Sequence, residues 1–233
     1  MSDPSNKLLL FGGGGAIGTA IRTAFIEDRW QVVATGRNET SGLVAYDPFG
    51  SGDANQAALE RGGPFDAVCW AQGANLNDSI RTVKSEEHLE IYRANVLFCL
   101  VSLRMLLERQ LLASGARLCV ISSIWQTIAR PNKLSYSVTK AALQGFVTAT
   151  SVDLGREGFL INAVLPGPID TPMTRANLSA EQMGALTKAT GFGRLAKLED
   201  VATLVRFLCS ADNKSITGQF VRVDVGLSHA RLV

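Results

Sequence analysis

From Lys7 to Asp224 the chain alternates short apolar runs with longer amphipathic stretches, and this alternation limits its possible folds more than anything else in it. Lys7–Gly12, Gln31–Thr35, Leu43–Tyr46, Ala67–Ala71, Ala116–Ser122, Leu160–Leu165 and Gln219–Asp224 read as strands. Ala16–Asp28, Ser85–Gln110, Leu134–Arg156 and Leu198–Ser210 repeat their apolar residues at helical spacing. The strands are apolar without alternation, so both of their faces are buried. Strands of that kind separated by helices make a parallel sheet with helices on both sides. With 233 residues and no repeat or low-complexity linker, one domain over residues 1–233 is expected.

The first strand runs into Gly12-Gly-Gly-Gly-Ala-Ile-Gly18 and then directly into a helix. Gly13, Gly15 and Gly18 fit G-x-G-x-x-G, and Gly12, Ala16 and Gly18 fit a looser version in which Gly14 and Ile17 also belong to the turn. Glycine lets backbone approach a pyrophosphate, which then sits on the amide-rich end of the helix. The expected fold is therefore a Rossmann-type doubly wound α/β sheet. At the end of the second strand, Arg37 stands where a dinucleotide's adenosine ribose should lie, and Thr35 and Gly36 supply no carboxylate for its 2′-hydroxyl. A guanidinium there suits a 2′-phosphate, which favours NADP(H) over NAD(H), although Glu39 is close enough in sequence to compete for Arg37. Only about seven residues separate Thr35 from Leu43, too few for an ordinary crossover helix between strands two and three.

Tyr136-Ser-Val-Thr-Lys140, with Ser123 upstream, points to proton-transfer chemistry. Positions four apart lie on one helical face, so Tyr136 and Lys140 share a space. A tyrosine has an ordinary pKa of about 10, and a neighbouring ammonium favours its phenolate. Ser123 ends an apolar strand, so its hydroxyl should emerge at the carboxyl edge of the sheet, where open α/β sheets bind ligands.

Other chemistries find little support. A net charge of +2 gives no field for nucleic acid and no polybasic membrane patch. The first residues lack a signal-peptide pattern, and no apolar stretch approaches the length of a membrane span. The four cysteines, Cys69, Cys99, Cys119 and Cys209, are dispersed in apolar surroundings, which suits reduced thiols in a cytoplasm. His88 and His229 offer no metal spacing, and no metal is expected.

Taken together, these residues resemble the short-chain dehydrogenase/reductase family over essentially the whole chain. The ordered matches are the glycine turn, Asp47, Asn95, Ser123, Tyr136, Lys140, Pro166-Gly-Pro-Ile-Asp-Thr171 and Asp224. The resemblance implies that Asn95 holds the active-site helix and a water leading to Lys140. It implies that Ser123 and Tyr136 grip the substrate oxygen, with Tyr136 giving or taking the proton, and that Lys140 binds the nicotinamide ribose. By the same resemblance Asp47 meets the adenine, Ile169 and Thr171 meet the carboxamide, and Ala71, Gly73 and Pro166 belong to the cofactor cleft. Four departures stand out: Phe11 for a usual threonine, Ala16 for a usual glycine, Trp70-Ala-Gln-Gly73 for a usual Asn-Asn-Ala-Gly, and Val225 inside a usual Asp-Gly-Gly.

The resemblance thus implies an NADP(H)-dependent oxidoreductase that interconverts a small-molecule carbonyl and an alcohol. Two alternatives stay open: a 3-oxoacyl-[acyl-carrier-protein] reductase, and a regulator that binds dinucleotide without chemistry. The substrate pocket is expected between Trp70, Asn75, Trp125, Gln126 and a lid over residues 173–192. Arg104, Arg109, Arg130, Lys133 and Arg175 are the residues that would form a basic patch for an acidic carrier protein, and read more simply as solvated charge. The helices Ser85–Gln110 and Leu134–Arg156 carry apolar residues over much of their circumference, and in this family such helices pack against their copies in a homodimer or homotetramer.

Overall fold

A computed structural model of the chain describes residues 6–40, 42–50, 53–171, 174–175 and 178–229. The strands are β1 (Lys7–Phe11), β2 (Gln31–Gly36), β3 (Val44–Ala45), β4 (Phe65–Trp70), β5 (Leu112–Ile121), β6 (Leu160–Pro166) and β7 (Phe220–Val223). They form one seven-stranded parallel sheet in the order β3-β2-β1-β4-β5-β6-β7. Helices α1 (Ala16–Glu27), α2 (Asp53–Gly62), α3 (Ser85–Tyr92), α4 (Phe98–Glu108), α5 (Leu134–Asp153), α6 (Ala180–Lys188) and α7 (Leu198–Cys209) complete the fold.

Successive strand residues point to opposite faces, and the two cores follow that period. Leu9, Phe11, Val68, Trp70, Leu118 and Val120 pack beneath Cys99, Leu103 and Leu106 of α4 and Leu143 and Val147 of α5. Leu8, Leu10, Cys69, Cys119 and Ile121 pack against Ile21 and Phe25 of α1 and Val201, Val205 and Leu208 of α7. All four cysteines are buried and free.

The second connection is shortened as expected. Residues 37–43 contain no described helix; an antiparallel bridge pairs Thr40 with Leu43, and the chain returns at once to the sheet. So short a return leaves β3 paired with β2 only at Thr35↔Val44 and Gly36↔Ala45. The sequence reading missed α2, whose helical pattern is weak, and α6 inside the expected lid. The expected long helix Ser85–Gln110 is instead α3 and α4 joined by a π-helical turn at Arg93–Leu97. Such turns insert an extra residue into a helix and re-aim the side chains around it.

The end of α1 shows how local chemistry ends an element. Arg29 takes a left-handed φ of 64° after α1, Trp30 N–H donates to the Phe25 carbonyl at 3.0 Å, and the Phe25 and Trp30 rings meet at 5.0 Å. That is a Schellman ending with its hydrophobic contact. A harsher case follows β7, where Val225 sits at φ 49°. The turn is held by the Asp224 carboxylate, which accepts from Gly226 N at 3.0 Å and from Ser228 N at 2.9 Å. Left-handed backbone costs a side-chain-bearing residue roughly 1–2 kcal/mol, and a β-branched one is poorly suited to it. Val225→Gly should therefore raise the unfolding free energy by about 1 kcal/mol after the entropy glycine gives back, read as a higher urea midpoint at unchanged slope; a lower midpoint would show that the turn is not strained.

Candidate active site

The strand order reverses direction between β1 and β4, and the carboxyl ends of β1, β4, β5 and β6 open onto one crevice. The glycine turn lines it. At Gly12, φ is 78°, and a Cβ would fall 2.5 Å from the backbone nitrogen of Gln72, so the turns after β1 and β4 touch. At Gly18 a Cβ would collide with the Gly12 carbonyl oxygen, so α1 can start this close to the turn only with glycine there. Ala16 opens the helix, Ile17 packs into the core below, and no side chain caps α1. Its first amide groups are thus a backbone cradle of the kind that receives a phosphate. Leu43 closes the cradle from the other side, its side chain 3.0 Å from where a Gly14 Cβ would be.

Arg37 lies exposed at the end of β2, and among the described residues no ion pair joins it to Glu39. The structure adds a second cation here: the Arg22 guanidinium of α1 packs against Gly42. Asp47 is exposed just past β3, where its carboxylate accepts from Phe49 N at 3.0 Å. Across the crevice, Ala71 N–H donates to the Phe11 carbonyl at 2.9 Å. A Cβ on Gly73 would lie 3.3 Å from Asn95 Oδ1 and 3.7 Å from Lys140 Nζ. After Pro166 the chain passes Ile169, whose side chain joins the lower core, and Thr171, whose hydroxyl lies 3.0 Å from that of Thr174. Met173, the first residue of the expected lid, lies outside the described residues; α6 forms its middle, and Phe192 stands exposed at its end.

Asn95, Ser123, Tyr136 and Lys140 are brought together. Asn95 is the middle residue of the π-helical turn. Its Oδ1 accepts from Ala74 N at 2.7 Å, and its Nδ2 donates to the Ala74 carbonyl at 3.1 Å and to Thr139 Oγ1 at 3.0 Å. It thus ties the loop after β4 to the residue before Lys140. Ser123 caps a 3-10 turn at Ile124–Gln126 and hydrogen-bonds the Tyr136 phenol. Lys140 donates to the Ile121 carbonyl at 3.0 Å, with Nζ 5.7 Å from the Tyr136 ring centroid.

The electrostatics correct one expectation. Burial pushes the Tyr136 phenol up, the Ser123 hydrogen bond pulls it down, and burial prevails. The resting state is therefore a neutral phenol, which is the form a proton donor needs. Burial also lowers Lys140 to about 8, opposed by the neighbouring Cys99.

The pocket differs from expectation in three places. Trp70 is fully buried in the core, donating from Nε1 to Ser102 Oγ at 2.8 Å and stacking on Phe11, so it lines nothing. Gln126 is buried with Oε1 accepting from Ser122 Oγ at 2.7 Å, so that end of its amide braces the loop. Lys133 is 5 % exposed, whereas Arg104, Arg109 and Arg175 pair at the surface with Glu108, Glu60 and Asp170. The sequence reading also missed Asp78, a buried carboxylate that accepts from Ser135 N at 2.9 Å and from the Ser135 hydroxyl at the start of α5. Among the described residues no cluster of metal-binding side chains occurs, and no helix is long and apolar enough to cross a membrane.

A Rossmann-type sheet with a serine, tyrosine and lysine gathered beside its glycine turn has the architecture of a dinucleotide-dependent oxidoreductase. Comparison with known proteins agrees. A family model described as Enoyl-(Acyl carrier protein) reductase matches residues 52–228. The chain is 29% identical over 220 residues to a 3-oxoacyl-[acyl-carrier-protein] reductase of Pseudomonas aeruginosa, covering 92% of this chain and 87% of that one. It is 26% identical over 244 residues to a glucose 1-dehydrogenase of Gluconobacter oxydans, covering 95% and 91%. Among solved structures, a tyrosine-to-phenylalanine variant of ElxO with NADPH bound superimposes with a TM-score of 0.85 at 22% identity, covering 96% of this chain and 99% of that one. The chain belongs to the short-chain dehydrogenase/reductase family and is an NAD(P)-dependent oxidoreductase.

Proposed function

We propose that this protein is an NADP(H)-dependent oxidoreductase interconverting a small-molecule carbonyl and an alcohol, with Tyr136 as proton donor and acceptor. The observation that carries the reading is the meeting of Tyr136 with both Ser123 and Lys140 at the end of the sheet. When bound, the nicotinamide supplies or accepts the hydride. Tyr136 holds its proton at the phenol oxygen, ready for a substrate oxygen. The Ser123 hydroxyl supplies a second hydrogen bond to that oxygen as negative charge develops on it. Lys140, with its lowered proton affinity, carries a positive charge below about pH 8 and stabilises the phenolate left behind. Asn95 positions this group through Thr139.

For the dinucleotide, the residues present fit: the glycine cradle touches the turn at Gln72, and Gly73 beside it lies against Asn95 and Lys140. Arg37 is exposed and uncommitted to Glu39 among the described residues, so its guanidinium suits a 2′-phosphate, and Arg22 nearby adds charge of the same sign. ElxO was solved with NADP bound, and its tyrosine-to-phenylalanine variant with NADPH bound. The four free thiols suit a reducing cytoplasm.

A homodimer or homotetramer also belongs to this reading. Leu89 of α3, Leu97 and Leu100 around the start of α4, and Val138 and Val152 of α5 remain exposed. An open apolar groove of about 520 Å³ between Val83, His88, Leu89, Leu134 and Val138 continues that surface. Two-fold packing of these helices would cover it.

Three measurements test the reading. Tyr136→Phe should lower carbonyl reduction by about a hundred- to ten-thousandfold while the NADPH dissociation constant stays near the parent's; turnover at the parent rate would sink the tyrosine mechanism. NADPH should bind roughly ten- to hundredfold more tightly than NADH, the worth of one charge-assisted contact, and Arg37→Ala should erase most of that gap; equal constants in the parent overturn the cofactor assignment. Light scattering at micromolar concentration should give a dimer or tetramer, and a monomer would remove the assembly from the proposal.

A further inference from the structure

Lys133 is buried in a place that ordinarily repels a cation. It is the residue before α5, at the positive end of a twenty-residue helix. Its amine donates to Asn75 Oδ1, a neutral partner, and lies 5.4 Å from the Tyr136 ring centroid. The Arg130 guanidinium stands near enough to disfavour its charge, and Arg130 itself lies over Trp125, 5.9 Å from the ring centroid. Beyond Tyr136 stands a third cation, Lys140. Among the described residues Asp78 is the carboxylate that acts on Lys133, and its oxygens also accept from the Ser135 amide and hydroxyl. Among the described residues no ion pair reaches Lys133 or Arg130.

Burial and Arg130 together lower Lys133 to about 8 against the pull of Asp78, in keeping with an ammonium whose hydrogen-bond partner is neutral and whose neighbour is a cation. An arriving anion would reverse that cost. It would meet an ammonium already partly withdrawn from water, where a charge-assisted bond is stronger than in bulk solvent.

Resting on the oxidoreductase reading above, we propose that the substrate carries a carboxylate close to its reacting carbonyl, received by Lys133 with Arg130 beside it. Ser123 and Tyr136 fix the carbonyl oxygen, and the loop between Ser123 and Tyr136 bears both cations, so the two ends of one small oxo acid are read by one segment of chain. A singly charged carboxylate matches one ammonium more closely than a phosphate does. The proposal also separates the alternatives, because a 3-oxoacyl thioester is neutral beside its carbonyl and would draw nothing from Lys133.

The test pairs pyruvate, acetoacetate and levulinate each with its primary amide, at saturating NADPH. At least one acid should show a kcat/KM roughly ten- to hundredfold above that of its amide. Lys133→Met, which keeps the stem and removes the charge, should bring that ratio close to one, and Lys133→Arg should retain most of it. Because each ratio is taken within one variant, a general loss of rate cancels. Parent ratios near one for all three pairs, or a ratio unchanged in Lys133→Met, would overturn the carboxylate site. Turnover of none of the six compounds would count against the oxidoreductase reading for small oxo compounds, and the site is then decided by calorimetric titration of levulinate into the NADPH complex. Binding to the parent that Lys133→Met abolishes and Lys133→Arg retains supports it; no binding to the parent overturns it.

Discussion

Lys140 carries its amine into the end of β5, where the Ile121 carbonyl accepts at 3.0 Å and water is almost shut out. Taking an ammonium out of water costs several kcal/mol unless fixed dipoles or charges replace the solvent. Here the replacement is one carbonyl, with no ion pair to Lys140 among the described residues, and the lowered pKa of about 8 is the residue of that cost. Such a group keeps a defined position only if the helix bearing it cannot shift. Three tethers hold that helix. Asn95 reaches Thr139 at 3.0 Å, Asp78 grips Ser135, and the Ser122 hydroxyl lies 3.4 Å from the Lys140 carbonyl. They come from the π-helical turn, the loop after β4 and the end of β5, so three of the segments bordering the crevice are referenced to the first two turns of α5.

The parts of this arrangement legible in sequence are those written in local spacing. Tyr136 and Lys140 share a helical face by arithmetic, and Gly12 to Gly18 announces a tight strand-to-helix turn whatever surrounds it. Asp78 is different. Its partner is fifty-seven positions away in Ser135, and a lone aspartate in a loop looks like any turn residue until the two segments meet. Lys133 carried a readable hint, lying three positions before Tyr136 and hence one helical turn away, but its burial depends on Asn75, supplied from fifty-eight residues upstream. The π-helical turn was illegible for another reason: apolar periodicity runs through it with only a slight change of phase, so α3 and α4 read as one helix.

Trp70 shows the opposite failure, in which position along the chain was legible and orientation was not. It ends β4, as a residue bordering the crevice should, and family members carry a polar residue there. The pleat points it away from the crevice, into the core between Phe11 and Ser102. Its neighbour Phe11, also a departure from the usual pattern, forms the other half of the pair. Phe11 further meets Tyr46 at 5.1 Å and Phe98 at 5.4 Å. The two departures are therefore one change: an aromatic cluster occupies the space beneath the crevice, and Ser102 of α4 satisfies the indole that the cluster buries.

That same substitution bears on the loop after β4. With Trp70 turned inward, the link from this loop to α4 falls to Gln72, whose Nε2 lies 3.2 Å from Cys99 Sγ. A thiol is a weak acceptor, so the loop relies more heavily on Asn95 at Ala74, on Asp78 at Ser135 and on Asn75 at Lys133. All three contacts lead to α5 or to the turn that braces it. Lys133 and Lys140 are thereby held at fixed distances from one ring, 5.4 and 5.7 Å from the Tyr136 centroid. Burial keeps the Tyr136 phenol neutral and the Ser123 hydrogen bond works against it, so the proton stays on the ring oxygen while the two lysines beside the ring hold their places.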